Sequence, residues 1–239
     1  MALATPRSLA GGGVTTTPYH YHGSQSVLLD WEAGRWSDTP PPPAVHSVAY
    51  RQMMVDLFLG LARSARPSLL SLGCGNAMVE LELQRQGFDV LATDYSVEAV
   101  DLAISKGLRG ESLDVLAPPP SYSYDLVYAD GLLGHVAVLP DGLERLTHTM
   151  RSVVEVSGMI VLAYELSDSN TASYAVTGHA EARFFRPPAG EVVPLLRPLL
   201  PGWALQSIRI ATYVRPGRGE RRREIVVFHK GEALMLTDG

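Results

Sequence analysis

The sequence has a single cysteine, Cys74, no excess of basic residues, and no apolar run of membrane-spanning length. One cysteine cannot form an intramolecular disulfide, so nothing in the chain requires an oxidising compartment. The formal net charge of −5 argues against nucleic acid as the main partner, because phosphate-binding faces are usually basic. Arg7 is not followed by a sustained apolar segment, so no secretory signal is predicted. These absences favour a soluble, cytoplasmic protein with no membrane partner.

The chain is expected to have three parts. Residues 1–17 lack hydrophobic periodicity and are expected to form a disordered tail. Residues 18–44 form an aromatic arm that ends in a stiff spacer, Pro40 to Pro43. Residues 45–239 are expected to form one large α/β domain, because apolar residues make up 46% of the chain. Apolar residues at helical spacing predict that this domain begins with a helix at 45–62.

Strands and helices alternate along this domain. Apolar segments predict strands at 68–72, 88–93, 111–114, 125–129 and 159–164, and helical spacing predicts helices at 76–86, 96–106, 143–156 and about 191–200. Such alternation is typical of a parallel sheet with helices on both faces. Two later strand-like runs, 204–214 and 223–229, predict an antiparallel C-terminal hairpin. The expected fold is therefore a Rossmann-like, doubly wound α/β sheet, mostly parallel, that ends in this hairpin.

A Gly-x-Gly turn follows the first predicted strand and opens a helix. Gly73 and Gly75 would let the backbone approach a ligand closely, and a helix N-terminus favours anionic groups. Asp94 ends the next strand about 20 residues later, where a carboxylate can accept hydrogen bonds from both hydroxyls of a ribose. Asp114 ends the third strand and can accept a hydrogen bond from an adenine amino group. This pattern predicts an adenine nucleoside cofactor, and Met78 disfavours a dinucleotide because its fingerprint requires a small residue there.

Four segments, in order, resemble the motifs of the class I S-adenosylmethionine (SAM)-dependent methyltransferases over roughly residues 45–230. They are 71–75 (SLGCG), 92–96 (ATDYS), 112–115 (SLDV) and 124–136 (YDLVYADGLLGHV). The resemblance implies SAM as cofactor, with Gly73 and Gly75 along its methionine part, Asp94 on the ribose, and Asp114 and the Val115 amide on the adenine. The remaining residues expected at the cofactor are Cys74, Tyr95 and Asp130.

The chain departs from this family at Ser71. Many members carry an acidic residue at the start of the first motif, near the methionine amino group of SAM. With serine at this position, the resemblance assigns no contact to the methionine amino group.

Methyl transfer from a sulfonium is an in-line displacement that depends mainly on positioning, and a base is needed only if the acceptor arrives protonated. His135 is the expected catalytic residue, because it follows the fourth strand at the ligand-binding edge and histidine titrates near neutral pH. The alternative is a structural histidine that packs or caps the next helix.

The aromatic arm is expected to close over the acceptor, since rigid aromatic side chains suit a flat or cationic ligand. The alternative is that the arm only packs on the domain. Two residues that end the fifth strand are also expected to face the acceptor. The proposed substrate and lid residues are Tyr19, Tyr21, Trp31, Trp36, Tyr164 and Glu165.

Two polar groups suggest other chemistries. Asp130, Asp168 and Asn170 carry oxygen atoms that would suit Mg²⁺, but polar loops are usually solvated and no metal is predicted. A basic run, Arg215, Arg218 and 221–223, could bind RNA phosphates, but a solvated hairpin turn is favoured by the acidic net charge.

The predicted function is SAM-dependent methyl transfer to an oxygen or nitrogen atom of a small molecule. The alternatives are a methyltransferase-like SAM-binding protein with no such catalysis and, less favoured, an NAD(P)-dependent reductase. The sequence is compatible with a homodimer but does not determine the oligomeric state.

Overall fold

The computed structural model of the chain describes residues 26–35, 40–176 and 183–230. The α-helices in this part of the chain are α1 (Ser26–Glu32), α2 (Pro43–His46), α3 (Val48–Leu61), α4 (Met78–Arg85), α5 (Val97–Ser105), α6 (Leu132–Val136), α7 (Gly142–Ser152) and α8 (Val192–Leu196), and a short 3-10 helix, Arg197–Leu199, follows α8. Its strands are β1 (Ser68–Leu72), β2 (Asp89–Asp94), β3 (Arg109–Ser112), β4 (Tyr124–Asp130), β5 (Val154–Glu165), β6 (Ser173–Val176), β7 (Arg183–Arg186), β8 (Trp203–Arg215) and β9 (Gly219–Lys230).

Seven of these strands form one sheet in the order β3-β2-β1-β4-β5-β9-β8, and β6 pairs with β7 apart from it. Strands β1 to β5 pair in parallel, whereas β9 is antiparallel to both β5 and β8. The chain winds outward from β1 to β3 and then crosses back to place β4 on the other side of β1. The structure confirms the predicted doubly wound sheet and its antiparallel C-terminal hairpin.

Helices cover both faces of the sheet. On one face, Phe58 of α3 and Leu83 of α4 pack in the same core as Val161 of β5. On the other face, Met150 of α7 packs in the same core as Ile160, the neighbour of Val161 in that strand. All five side chains are fully buried. Successive residues of a strand point to opposite faces, so β5 contributes to both cores, and each such burial stabilises the fold by about 1.5–3 kcal/mol.

Several predicted boundaries were wrong. The helix expected at 45–62 is two helices, because Ser47 caps α3 by accepting a hydrogen bond from the Tyr50 amide at 3.2 Å. The helix expected at 143–156 ends at Ser152, and residues from Val154 onward extend β5 to twelve residues. The third strand lies at Arg109–Ser112, so Asp114 follows the strand and does not end it.

A second hairpin, β6–β7, and the short helix α6 are absent from the sequence predictions. The two elements meet where the Phe184 ring of β7 lies over Gly134 of α6. A β-carbon at position 134 would lie only 2.3 Å from Cζ of Phe184, so this approach requires glycine. The hairpin is thereby held beside the carboxyl ends of β4 and β5.

Part of the predicted arm lies within the described residues. Ser26–Glu32 forms α1, which includes Trp31, and Pro43 of the proline spacer is the first residue of α2. Tyr19, Tyr21 and Trp36, like the predicted disordered tail at 1–17, lie outside the described residues. None of the helices described for this chain combines the length and the apolar character needed to cross a membrane.

We predict that Gly134→Ala destabilises the protein by about 1–3 kcal/mol, because the added methyl group overpacks the contact with Phe184. Chemical denaturation would measure this change. Gly60→Ala is the control: Gly60 lies within α3, a β-carbon there meets nothing within 4 Å, and alanine should stabilise the helix by about 0.5–1 kcal/mol. An unchanged unfolding free energy for Gly134→Ala would mean that the hairpin does not pack on α6 in solution.

Candidate active site

A cavity opens at the point where the order of the strands reverses. Its walls include Gly73, Cys74 and Gly75, which follow β1, and Asp130 and Gly131 at the end of β4. β1 and β4 are parallel neighbours, so both loops leave the same edge of the sheet. Open α/β sheets bind ligands in the crevice at such a reversal.

The loop after β1 has the backbone geometry predicted from its glycines. Gly73 and Gly75 have φ angles of 72° and 52°, in the left-handed region that favours glycine. The Gly75 amide donates a hydrogen bond to Oδ2 of Asp94 at 2.9 Å, and the Ser96 amide donates to Oδ1 at 2.9 Å. Asp94 therefore connects the loop to the start of α5.

The residues predicted at the ribose and adenine follow β2 and β3, on the same edge of the sheet, but they do not line this cavity. Asp94 is half-buried, and burial raises the pKa of its carboxyl group. Oδ1 of Asp114 accepts a hydrogen bond from the Leu116 amide at 2.9 Å, and the carbonyl of buried Val115 accepts one from Thr149 at 2.8 Å. Tyr95 lies between Asp94 and Ser96, the N-cap of α5.

Glu80, in the first turn of α4, was not predicted as a site residue but lines the cavity. Its side chain is buried, and the Ser71 hydroxyl at the end of β1 donates a hydrogen bond to Oε1 at 2.6 Å. Burial raises the pKa of the Glu80 carboxyl group, and the hydrogen bond from Ser71 opposes that shift. A glutamate in an amphipathic helix is ordinarily predicted to be solvent-exposed. Only the packing of α4 on β1 shows that Glu80 faces the cavity.

Asp130 is held by an ion pair and two phenol groups. Arg223 of β9 donates to Oδ1, while the hydroxyls of Tyr50 and Tyr128 donate to Oδ2 at 3.0 and 3.2 Å. The Arg223 side chain is only 4% exposed. Within the described residues no group of three or more potential metal-binding side chains is found. The oxygens of Asp130 are thus committed to protein donors.

Glu165, at the end of β5, lies among arginines. Nη1 of Arg215 lies 2.8 Å from Oε2 and Nε of Arg186 lies 3.0 Å from Oε1, and all three residues line the cavity. The interpretation of the basic run as a solvated turn is therefore wrong for Arg215 and Arg223, which form ion pairs with acidic partners and whose side chains are 17% and 4% exposed. Arg223 lies two residues before buried Ile225 in β9, so both side chains point to the same face of the sheet. This period of two could have predicted that Arg223 faces inward.

Tyr164 does not face the cavity, contrary to the prediction. Its ring is fully buried and its hydroxyl donates a hydrogen bond to the buried carboxylate of Glu224. Because neighbouring residues of a strand point to opposite faces, Glu165 reaches the cavity and Tyr164 cannot. The expected role of Tyr164 at the acceptor is corrected accordingly.

His135 lies on α6 and lines the cavity. Its ring packs edge-on against Phe184, with ring centroids 4.7 Å apart. Phe184 and Arg186 of β7 line the same cavity. The loop after β4 and the inserted hairpin therefore build one wall together.

The helix α1 covers the opposite side of the glycine loop. Trp31 is 6% exposed and lines the cavity. Nδ2 of Asn76 donates hydrogen bonds to the Leu28 carbonyl and to Oε1 of Glu32, both at 2.9 Å. Lys106, after α5, forms an ion pair with Glu32 and also donates to the Asn76 carbonyl. Three polar contacts from Asn76 and Lys106 thus hold α1 against the loop.

Known proteins share this sequence pattern and fold. A profile of the family described as "Methyltransferase domain" matches residues 49–198. A tabtoxin biosynthesis enzyme from Pseudomonas amygdali pv. tabaci is 35% identical over 123 residues, which are 50% of this chain and 48% of that protein. The match thus spans about half the length of this curated relative.

Two solved structures are similar at low identity, which shows the fold alone. One is Burkholderia thailandensis 1,6-didemethyltoxoflavin-N1-methyltransferase with 1,6-didemethyltoxoflavin and S-adenosylhomocysteine bound, with a TM-score of 0.64, 19% identity, and coverage of 95% of this chain and 94% of that one. The other is a SAM-dependent methyltransferase from Methanosarcina mazei, with a TM-score of 0.60, 14% identity, and coverage of 73% and 97%. Because the family profile matches more than half of its residues, this chain belongs to the methyltransferase domain family.

Proposed function

We propose that this protein transfers a methyl group from SAM to an oxygen or nitrogen atom of a small molecule. The observation that carries the proposal is the cavity at the strand reversal, where the glycine loop stands beside acidic and aromatic side chains in a methyltransferase domain. The Burkholderia thailandensis structure, which holds a small acceptor and S-adenosylhomocysteine in the same fold, supports this choice.

The residues present fit SAM. A β-carbon at Gly75 would meet nothing within 4 Å, so the loop is open to a ligand at this point. Asp94, whose two carboxylate oxygens each accept a hydrogen bond from a backbone amide, is proposed to accept the ribose hydroxyls as well. Asp114 and the Val115 amide are proposed at the adenine, and Gly73, Cys74, Tyr95 and Asp130 complete the cofactor site.

When bound, SAM supplies an electrophilic methyl group on a sulfonium. The loop at Gly73 and Gly75 would hold its methionine part, and the acceptor atom would take the methyl group while the electrons of the carbon–sulfur bond stay with the sulfur. We propose that His135 takes the proton that an acceptor hydroxyl or ammonium loses, because its ring borders the cavity beside Phe184. Cavity walls that exclude water and align the two reactants supply the rest of the acceleration.

The acceptor is proposed to meet Trp31 and Glu165, and the arm residues Tyr19, Tyr21 and Trp36 are proposed to complete its cover. No metal is assigned a role. The proposed location is the cytoplasm, since buried Cys74 is the chain's only cysteine.

A homodimer is also proposed. Its support is a group of exposed apolar side chains on the edge strand β8: Leu205, Ile208, Ile210 and Val214.

The first test concerns the cofactor. Asp94→Ala should weaken SAM binding by about 2–4 kcal/mol, because charge-assisted hydrogen bonds to the ribose are lost. Calorimetry with SAM and with S-adenosylhomocysteine measures this change. Asp89→Ala is a matched control at the opposite end of β2, where Asp89 pairs with Arg109 at 2.8 Å, and it should bind normally. Binding of NAD without binding of either SAM or S-adenosylhomocysteine by the parent protein would contradict the proposal.

The second test concerns the base. His135→Gln should reduce turnover about 10²- to 10⁴-fold while SAM affinity stays unchanged, because only proton transfer is lost. Steady-state kinetics at saturating acceptor, from a panel of amines and phenols with labelled SAM, measures the effect. His148→Gln, on the exposed face of α7, is the control and should retain parental turnover. A parental rate for His135→Gln would leave positioning as the whole mechanism.

The third test concerns the arm. Deleting residues 1–17 should leave catalysis near normal, whereas deleting residues 1–37 should abolish acceptor methylation and weaken SAM binding, because α1 and its contacts to Asn76 and Lys106 are removed. Trp31→Ala tests the same cover more narrowly and should raise the KM for acceptor. Leu29→Ala is its control, since Leu29 lies on α1 and is 51% exposed. Parental turnover by the longer truncation would reduce the arm to a packing element.

A further inference from the structure

Glu80 differs from the other two carboxylates that line the cavity. Asp130 is paired with Arg223, and Glu165 is paired with Arg186 and Arg215. Among the described residues, no lysine, arginine or histidine forms an ion pair with Glu80. Glu80 is therefore a buried carboxylate of the cavity wall, next to the glycine loop, that has no cationic ion-pair partner among the described residues.

The surroundings of Glu80 favour an added cation. The groups that act on its charge are the hydroxyls of Ser71, Tyr50 and Tyr128, the Cys74 thiol, the Asp94 carboxylate and the Lys106 ammonium. Lys106 alone is cationic, and it is held by Glu32 and the Asn76 carbonyl. A carboxylate that is 4% exposed is costly to ionise without a closer partner.

SAM brings two positive centres to this cavity, its α-ammonium group and its sulfonium. Asp130 and Glu165 are already paired with Arg223, Arg186 and Arg215, so Glu80 is the lining carboxylate best placed to attract a cation. We propose that Glu80 binds the α-ammonium group of SAM and so replaces, from helix α4, the acid that the chain lacks at position 71. This inference rests on the proposed function.

Ser71 and Glu80 are chemically complementary in this role. The Ser71 hydroxyl donates to Oε1 of Glu80 at 2.6 Å and fixes its orientation. A carboxylate at position 71 would lie so close to Glu80 that both groups could not ionise together. Ser71 is accordingly a positioning residue, and the single acid of this wall is Glu80.

Binding of an ammonium group at Glu80 should change the protonation of its carboxyl group. Burial raises the pKa of Glu80 in the free protein, and a bound ammonium group lowers it again, so Glu80 gives up a proton on binding. The liganded state then holds fewer protons than the free state. Affinity should therefore rise with pH between the ordinary glutamate pKa and the raised value in the free protein.

The experiment is calorimetry with S-adenosylhomocysteine, in buffers of different ionisation enthalpy between about pH 5 and 7, where the ligand's amino group stays protonated. The comparison ligand is its desamino analogue, which keeps the ribose and its contact to Asp94. Glu80→Gln should bind S-adenosylhomocysteine about 10- to 100-fold more weakly and release fewer protons, whereas both proteins should bind the analogue alike. Glu82→Gln, on the same helix with its side chain 36% exposed, should match the parent throughout.

The outcomes separate the two proposals. Failure of the parent protein to bind S-adenosylhomocysteine overturns the proposed function and this inference with it. Parental affinity in Glu80→Gln, or an equal loss for both ligands, overturns the inference alone and assigns Glu80 to structure. If Glu80→Gln fails to fold, proton release by the parent protein with the two ligands is the test. The other lining carboxylates are already paired with arginine, so Glu80 is the one expected to release the proton. Equal proton release with both ligands would then overturn the inference.

Discussion

The reversal of strand order between β1 and β4 is the constraint on which the site depends. A parallel sheet directs the carboxyl ends of its strands to one edge, and helices that cross to opposite faces leave a crevice at the reversal. The glycine loop after β1 and Asp130 after β4 are neighbours only for this reason. Had β4 joined the sheet beyond β3, these two loops would lie on separate strands with no common cavity.

Charge balance is the second organising feature of the cavity. Buried ion pairs are stable only when each charge has a partner and the remaining polar atoms are satisfied. Asp130 and Glu165 meet the first of these conditions through arginines supplied by β7, β8 and β9. The C-terminal hairpin therefore has an electrostatic role in addition to its place in the sheet. Glu80 stands apart from this network, which is why a cationic ligand suits it.

Elements distant in sequence close the two sides of the cavity. The hairpin β6–β7 contributes Phe184 and Arg186 and rests on Gly134, while α1 contributes Trp31 and is anchored by Asn76. The α1 wall is held by a few polar contacts, whereas β7 also packs Phe185 against the core that contains Met150. An acceptor site built this way can change its chemistry by changing these attachments while the sheet is kept.

The sequence by itself determined the succession of strands and helices along most of the domain, the C-terminal hairpin, the glycine loop after β1 and the position of Asp94. Each of these depends on local periodicity and turn chemistry. The helix predicted at 96–106 is confirmed as α5, whose N-cap Ser96 accepts a hydrogen bond from the Ala99 amide. Only the tertiary structure decided that Tyr164 faces away, that Arg215 and Arg223 form ion pairs with acidic partners, and that Glu80 reaches the cavity. Burial and ion pairing join residues from separate strands and helices, and no local pattern in one segment specifies which residues its neighbours supply.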